Sequence, residues 1–275
     1  KDGTTESFDR EVSTMNIIKS HLLKALESGK RFDGRNFDAY RKTISIEYGV
    51  SAKSAEGSAR VIINGTEVVA GVKFEVGTPY PDSPDKGTIM AGVELRPMAS
   101  PEFESGPPSI LSIELARAVV DRGLRESQAI DFHKLCIKTG EKMWMIVIDA
   151  YSINDNGNLA DAIGLAVLAA LKDARFPTYD EKEGKVLYEK RTNVKLELHE
   201  LPIPVTVIKI GKHLLVDPTL EEEKAADAKL MVTTTEDGRI CAMQKGGNGA
   251  LSLDDIDAMV ALSTKKGKEL RKLLK

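Results

Sequence analysis

Residues Leu159–Asp173 (LADAIGLAVLAALKD) restrict the fold more than any other stretch. Ala162, Ile163, Ala166, Val167, Ala169 and Ala170 spread apolar side chains nearly all round a helix. A helix with no polar face lies deep in a core. The run Ala162–Leu171 is still too short to cross a bilayer, which takes about 20 apolar residues. The rest of the 275-residue chain must enclose it, and that length allows one large or two small domains.

The enclosing material reads as strands. Thr43–Tyr48 alternates with Ile44, Ile46 and Tyr48 on one face. Ser58–Ile63 and Thr66–Val76 flank Asn64-Gly65, a strong hairpin signal. Thr88–Leu95, Leu135–Lys138 and Met143–Ile153 follow, then the central helix. Ile203–Ile210, His213–Val216, Lys229–Thr235 and Arg239–Lys245 come after it, and Ser252 caps a last helix reaching Lys275. Residues 179–200 are charged and read as a surface excursion. Strands then helix, twice, without strict alternation, give an α+β fold with an internal duplication. The order implies a flexible N-terminus over 1–12 and one domain over 13–275, with halves at roughly 30–175 and 200–275. Ser13 or Thr14 caps an opening helix to about Ser28, with Met15, Ile18, Leu22 and Leu26 inward and Gly29 as its stop.

A helix over Ile110–Arg125 (ILSIELARAVVDRGLR) is the candidate binding surface. Ile113, Ala116, Val120 and Leu124 form its buried side, and Glu114, Arg117, Asp121 and Arg125 a charged side. Arg122 would point about 140° away from Arg117. Pairing within the helix and contact with an anionic ligand both remain open for these arginines.

Net charge is −3, so no global basic signature for nucleic acid exists. Two local patches do: five cations to two acids over Lys30–Lys42, and six to one over Thr264–Lys275. Aromatic residues are 5%, too few for a base-stacking platform. Nucleic-acid contact would therefore run from arginine to phosphate. The four histidines and two cysteines have no zinc spacing, and no Walker or nucleophile-elbow pattern occurs. Cys136 and Cys241 read as free, buried thiols of a reducing, cytoplasmic setting. Gly246-Gly247-Asn248-Gly249 is a flexible turn or an anion-binding one. Asp227 is a general-acid candidate or a solvated loop carboxylate.

Several motifs carry a family. Arg31-Phe32-Asp33-Gly34-Arg35 with Tyr40-Arg41 resembles the opening of RNase PH-like proteins. Glu56-Gly57-Ser58-Ala59 with Asn64-Gly65-Thr66 resembles their hairpin. Pro79–Gly87, Val93-Glu94-Leu95, Phe103–Pro108, Ile113–Arg117 and Asp121–Arg125 resemble the non-catalytic RNase PH-like subunit of the archaeal exosome ring. The resemblance implies an RNase PH-like fold of two related β–α halves about a pseudo-dyad. It implies a hexameric ring of heterodimers with a catalytic RNase PH-like subunit, RNA-binding cap subunits, single-stranded RNA as ligand and no cofactor. The ring's reaction would be 3′→5′ phosphorolysis.

Active members place Gly-Ser-Arg or Gly-Thr-Arg before the central helix to hold phosphate, and an arginine pair before the Ile110 helix. Gly157-Asn158-Leu159 and Gly106-Pro107-Pro108-Ser109 stand at those positions here. No residue is then catalytic, and Arg117, Arg122 and Arg125 are the expected RNA contacts, with Arg31 and Arg35 as weaker candidates for interface or RNA contact. The alternatives are an active phosphate-dependent exoribonuclease using Asp227 and a free RNA-binding protein.

Overall fold

The computed structural model describes residues 17–274. The expected frayed segment 1–12, the Ser13 or Thr14 cap and Met15 lie outside them. Helix α1 occupies 17–27, with Leu22 and Leu26 buried and Ile18 partly so.

The first sheet has the order β1-β2-β3-β6-β4, from Ile44–Tyr48 (β1), Gly57–Ile63 (β2), Thr66–Gly77 (β3), Thr88–Glu94 (β4) and Lys142–Asn154 (β6). Cys136–Lys138 (β5) pairs with β6 off this path. The β2–β3 hairpin turns through Asn64 (φ 41°) and Gly65 (φ 100°), both left-handed, as a two-residue turn matched to strand twist requires. β4 runs parallel to β6 and leaves its other edge unpaired in the sheet.

The second sheet has the order β10-β9-β11-β12, from Ile203–Ile210 (β9), His213–Val216 (β10), Ala228–Thr234 (β11) and Ile240–Gly246 (β12). Helix α4 (Leu159–Asp173) packs on β2 and β3 with one side and on β9 with another. Placement between two sheets explains its sequence. Ile163, Leu165, Val167, Leu168 and Leu171 are all buried. Burying five such side chains contributes on the order of 10 kcal/mol before entropy. Helix α6 (Leu253–Arg271) covers β9 and β11 and opens with a Ser252–Asp255 capping box.

Two elements escape the sequence pattern. Arg175–Asp180 (β7) and Lys185–Lys195 (β8) pair as a separate hairpin that starts before the expected excursion at 179, with β7 half-buried and β8 mostly exposed. Leu220–Ala225 (α5) is a short helix with a Thr219–Glu222 capping box, where only an acidic stretch stands out in the sequence.

Candidate nucleic-acid interface and adjoining cavity

The arginine helix is not a uniform α-helix. It runs as α2 (Ile110–Leu115), a π-helical turn (Ala116–Asp121) and α3 (Arg122–Glu126). Ser109 caps it by accepting from the Ser112 N–H, so the Gly106–Ser109 turn starts the helix and carries no cation. The π turn corrects the expected buried side. Val120 and Leu124 face inward as expected, but Ile113 is 53% exposed, with Ile110 at 83% and Leu111 at 47%. The extra residue in the turn moves the inward face at the N-terminal end onto Ser112, which donates to the Val93 carbonyl of β4.

The same turn corrects the direction of Arg122. Its N–H bonds to the Arg117 carbonyl, a five-residue closure. Residues five apart then stand about one turn apart, on the order of 50° rather than 140°. Glu114 reports this arrangement. Its carboxyl is held below the usual range, first by the hydrogen bond from Arg117 against a desolvation penalty, then by the charges of Arg117 and Arg122 together. Arg117 Nη2 donates to Glu114 Oε2 at 2.6 Å, with both side chains about two-fifths exposed. Solvent screens an exposed pair of this kind, so the guanidinium is free to change partner. The Arg122 side chain makes no hydrogen bond or ion pair among the described residues. Arg125 is committed elsewhere: Nε donates to Asp121 at 2.7 Å and Nη2 to the Ile89 carbonyl at 2.7 Å, which fixes α3 to β4.

Arg31 and Arg35 are not surface contacts, which corrects the weaker candidates. Arg31 is 3% exposed and bidentate on Glu222, at 2.8 and 2.5 Å. Arg35 donates to Asp33 at 2.6 Å and to Asp217 at 3.0 Å. Arg41 completes a buried knot. Its N–H, Nε and Nη2 donate to the Asp217 carboxylate at 2.6, 2.9 and 2.9 Å, and its Nη1 and Nη2 to the Asn156 and Gly157 carbonyls at 2.5 and 2.9 Å. A charge this deep needs such a full set of partners. Arg41 therefore holds the turn before α4, while Arg31 and Arg35 hold the Val216–Glu222 segment beside it. The C-terminal cations are also partly consumed: Lys265 and Lys266 pair with Asp38, and Arg271 donates to Thr234 and Leu201 carbonyls.

That turn is the expected phosphate position. Gly157 has φ +88° and a Cβ there would meet the Pro218 carbonyl oxygen at 2.5 Å, so glycine is required. Asn158 is left-handed (φ 59°) and buried, and its side-chain amide donates to Asp161 and Asp217. Its N–H, at the N-terminus of α4, donates to Glu223 Oε1 at 3.0 Å. The helix start thus holds a carboxylate of the chain itself. Burial pushes the Glu223 carboxyl up to about 7, against the pull of Lys229, the Asn158 N–H and Arg41, with Asp155 adding to the rise. Burial also raises Asp155, which accepts from the Gly157 N–H at 3.0 Å. Asp161 inside α4 is likewise pushed up to about 7 by burial, although Tyr40, Asn158 and Thr206 all donate to it. Glu223 and Asp155 line a cavity of about 270 Å³ with Leu111, Leu159, Thr206 and Lys229. Glu223 was not singled out by the sequence, where only the run Glu221–Glu223 hints at it.

Asp227 does not line this cavity. It accepts from Lys19 at 2.5 Å and from the Gly211 N–H at 2.7 Å. Burial works to raise its pKa, but Lys19, the Gly211 N–H and Lys209 outweigh it and the carboxyl stays below the usual range. A general acid needs the opposite shift. Gly247 and Gly249 lie against the Asp227–Ala228 backbone, so the glycine turn serves close packing. Cys136 and Cys241 are half-buried free thiols and not fully buried ones. No described helix is long and apolar enough to cross a membrane.

Profiles of the 3′ exoribonuclease family match residues 41–177 (domain 1) and 200–266 (domain 2), and the chain belongs to that family. The exosome complex component Rrp42 of Methanocella arvoryzae is 47% identical over 258 residues, 94% of this chain and 95% of the relative. The protein of the same name from Thermococcus gammatolerans is 45% identical over 264 residues, 94% of each. A chain of the Archaeoglobus fulgidus exosome, solved with RNA bound to the active site, superposes with a TM-score of 0.87 at 41% identity, covering 95% of this chain and 99% of that one. A chain of an archaeal exosome core gives 0.82 at 38%, covering 96% and 98%.

Proposed function

We infer that this chain is the non-catalytic RNase PH-like subunit of an exosome ring that degrades RNA 3′→5′ by phosphorolysis. One observation carries the reading: the Asn158 N–H at the start of α4 is bonded to Glu223. Phosphorolysis needs an attacking phosphate held where a helix start and a cation converge. Here a phosphate would have to displace Glu223, pass Asp155 and find Leu159 where the fork of an arginine is needed. Losing one charge-stabilising donor costs about 10²–10³ in rate. Asp227, tied to Lys19, offers no substitute acid.

The chain pairs with a catalytic RNase PH-like subunit in heterodimers that close a hexameric ring, joined by RNA-binding cap subunits, in the cytoplasm. Near-complete likeness to exosome components supports this. Arg117 and Arg122, brought to one side by the π turn, hold the backbone phosphates of single-stranded RNA approaching the partner's site. Arg125 positions their helix against β4. The halves at roughly 30–175 and 200–275 act as one unit, because the Arg41–Asp217 knot and the cavity draw on both.

The test is phosphate-dependent release of nucleoside diphosphates from 3′-labelled RNA. Only the mixture of this chain with its catalytic partner should degrade RNA. Arg117→Glu with Arg122→Glu should weaken that activity with the ring intact. Activity of this chain alone, surviving repurification, overturns the reading.

A further inference from the structure

The arginine helix buries a serine where its sequence offers an isoleucine. In regular winding Ile113 would stand about 20° round the axis from the buried Leu124, and Ser112 about 120° from it. One extra residue in the Ala116–Asp121 π turn exchanges them and brings Ser112 to within about 20° of Leu124. Ser112 is buried as a result, while Ile110, Leu111 and Ile113 are exposed. Keeping Ile113 in water gives up apolar burial, so the π register needs a contact that the regular one lacks.

Two side chains fasten the helix to β4, the edge strand of its sheet. Arg125 Nη2 donates to the Ile89 carbonyl at 2.7 Å, and Ser112 Oγ donates to the Val93 carbonyl at 2.9 Å. Arg125 follows the π turn and fixes α3 whichever way α2 is wound. Ser112 precedes the turn, and only the π register aims it at β4. In the regular register Ile113 takes the place of Ser112, and the Arg122 N–H bonds to the Ala118 carbonyl in place of that of Arg117. The Val93 carbonyl then loses its donor, and a buried acceptor without one is costly.

We propose that Ser112 is the positioning residue of the RNA clamp, its hydrogen bond to β4 holding the helix in the π register against a regular register that the sequence also encodes. The inference rests on the reading that Arg117 and Arg122 hold RNA phosphates. In the π register these arginines stand about 50° apart and face one strand together; in the regular register they stand about 140° apart, and one strand meets one of them. Ser112 touches no RNA and acts through the phase of the helix. Once its hydroxyl is removed, Val93 lacks a donor in either register, and burial of Ile113 decides for regular winding.

The test uses the ring assembled with its catalytic partner, in phosphate-free buffer, with a fluorescent single-stranded RNA and varied salt. Ser112→Ala should lower the slope of log affinity against log salt by about 0.7, one phosphate contact, and Ser112→Thr should keep the wild-type slope. Hydroxyl-radical footprinting of the full chain should oxidise Ile113 in the wild type and in Ser112→Thr, and find it protected in Ser112→Ala. Adding Ile113→Gln to Ser112→Ala removes the apolar gain of the regular register and should restore the slope. A hydrogen bond that merely stabilises the fold would lower Tm in Ser112→Ala and leave slope and footprint at their wild-type values. That result overturns the proposal, as does a slope lowered equally with and without Ile113→Gln. Arg117→Ala with Arg122→Ala separates the two levels. If that pair leaves the slope unchanged, the clamp reading fails and Ser112 has nothing to position. If it lowers the slope and Ser112→Ala does not, the clamp stands and only the register inference falls.

Discussion

Asp217→Ala isolates the knot that holds the turn before α4. The wild-type carboxylate accepts from Arg35 Nη1, from Arg41 N–H, Nε and Nη2, and from Asn158 Nδ2 at 2.6–3.0 Å. Its side chain is fully buried, and Arg41 nearly so. Removing it leaves the buried Arg41 guanidinium with two backbone carbonyls but no counter-charge, and the Asn158 amide with Asp161 as its one remaining acceptor. Breaking a buried pair from one side costs about 3–5 kcal/mol. A chain of this size loses about 2–4 °C of Tm per kcal/mol, so the drop is on the order of 10 °C. Urea unfolding should show a lower midpoint with an unchanged slope. Adding Arg41→Met should cost less than the sum of the two single changes, because it removes the orphaned charge. A loss below about 1 kcal/mol for Asp217→Ala, or a double variant at least as damaged as that sum, refutes the account of the knot.

Arg117→Ala with Arg122→Ala should lower the slope of log affinity against log salt for single-stranded RNA by about 1.4, two phosphate contacts' worth, measured by fluorescence anisotropy on the assembled ring; an unchanged slope removes the clamp. Arg125→Met should instead lower Tm, since it frees α3 from the Ile89 carbonyl, with thermal scans as the check. Glu223 has a folded pKa of about 7, above its usual 4.5, so the folded state binds the proton more tightly. Its contribution is therefore present below about pH 4.5 and lost as pH rises through 7. Glu223→Gln should flatten that fall in urea midpoints between pH 5 and 8. Asp227→Asn should leave phosphorolysis by the mixed ring within about 2-fold, because general-acid loss would cost about 10²–10⁴.

Elements with one strong local signal were legible in the sequence. Leu159–Asp173 is apolar all round because two sheets clasp it, and its limits match the observed helix. Asn64-Gly65 sets its hairpin through two left-handed residues, which the dipeptide itself announces. The β7–β8 hairpin gave no such signal, since its half-buried β7 and mostly exposed β8 show no clean alternation and Pro177 and Gly184 blur the pattern. The site divides in the same way. Arg117, Arg122 and Arg125 stood out as charges on one helix, but their partners and phase depend on a hydrogen-bond register that 3.6-residue periodicity cannot express. Arg31 and Arg35 looked like surface cations because their acceptors, Glu222 and Asp217, lie more than 180 residues away in the chain. Glu223 was hidden among three consecutive glutamates, and only the fold shows which one faces α4.

The π turn at Ala116–Asp121 also makes chain length negotiable in this helix. Deleting Ala118, Val119 or Val120 would let the helix revert to regular winding with Arg117 and Arg122 four residues apart, about 40° round the axis, and so on the same side as before. Comparison of relatives position by position would record such a change as a single gap in an otherwise intact motif. In this helix a one-residue gap between the two cations would weigh less than the substitution of either, because their phase survives it.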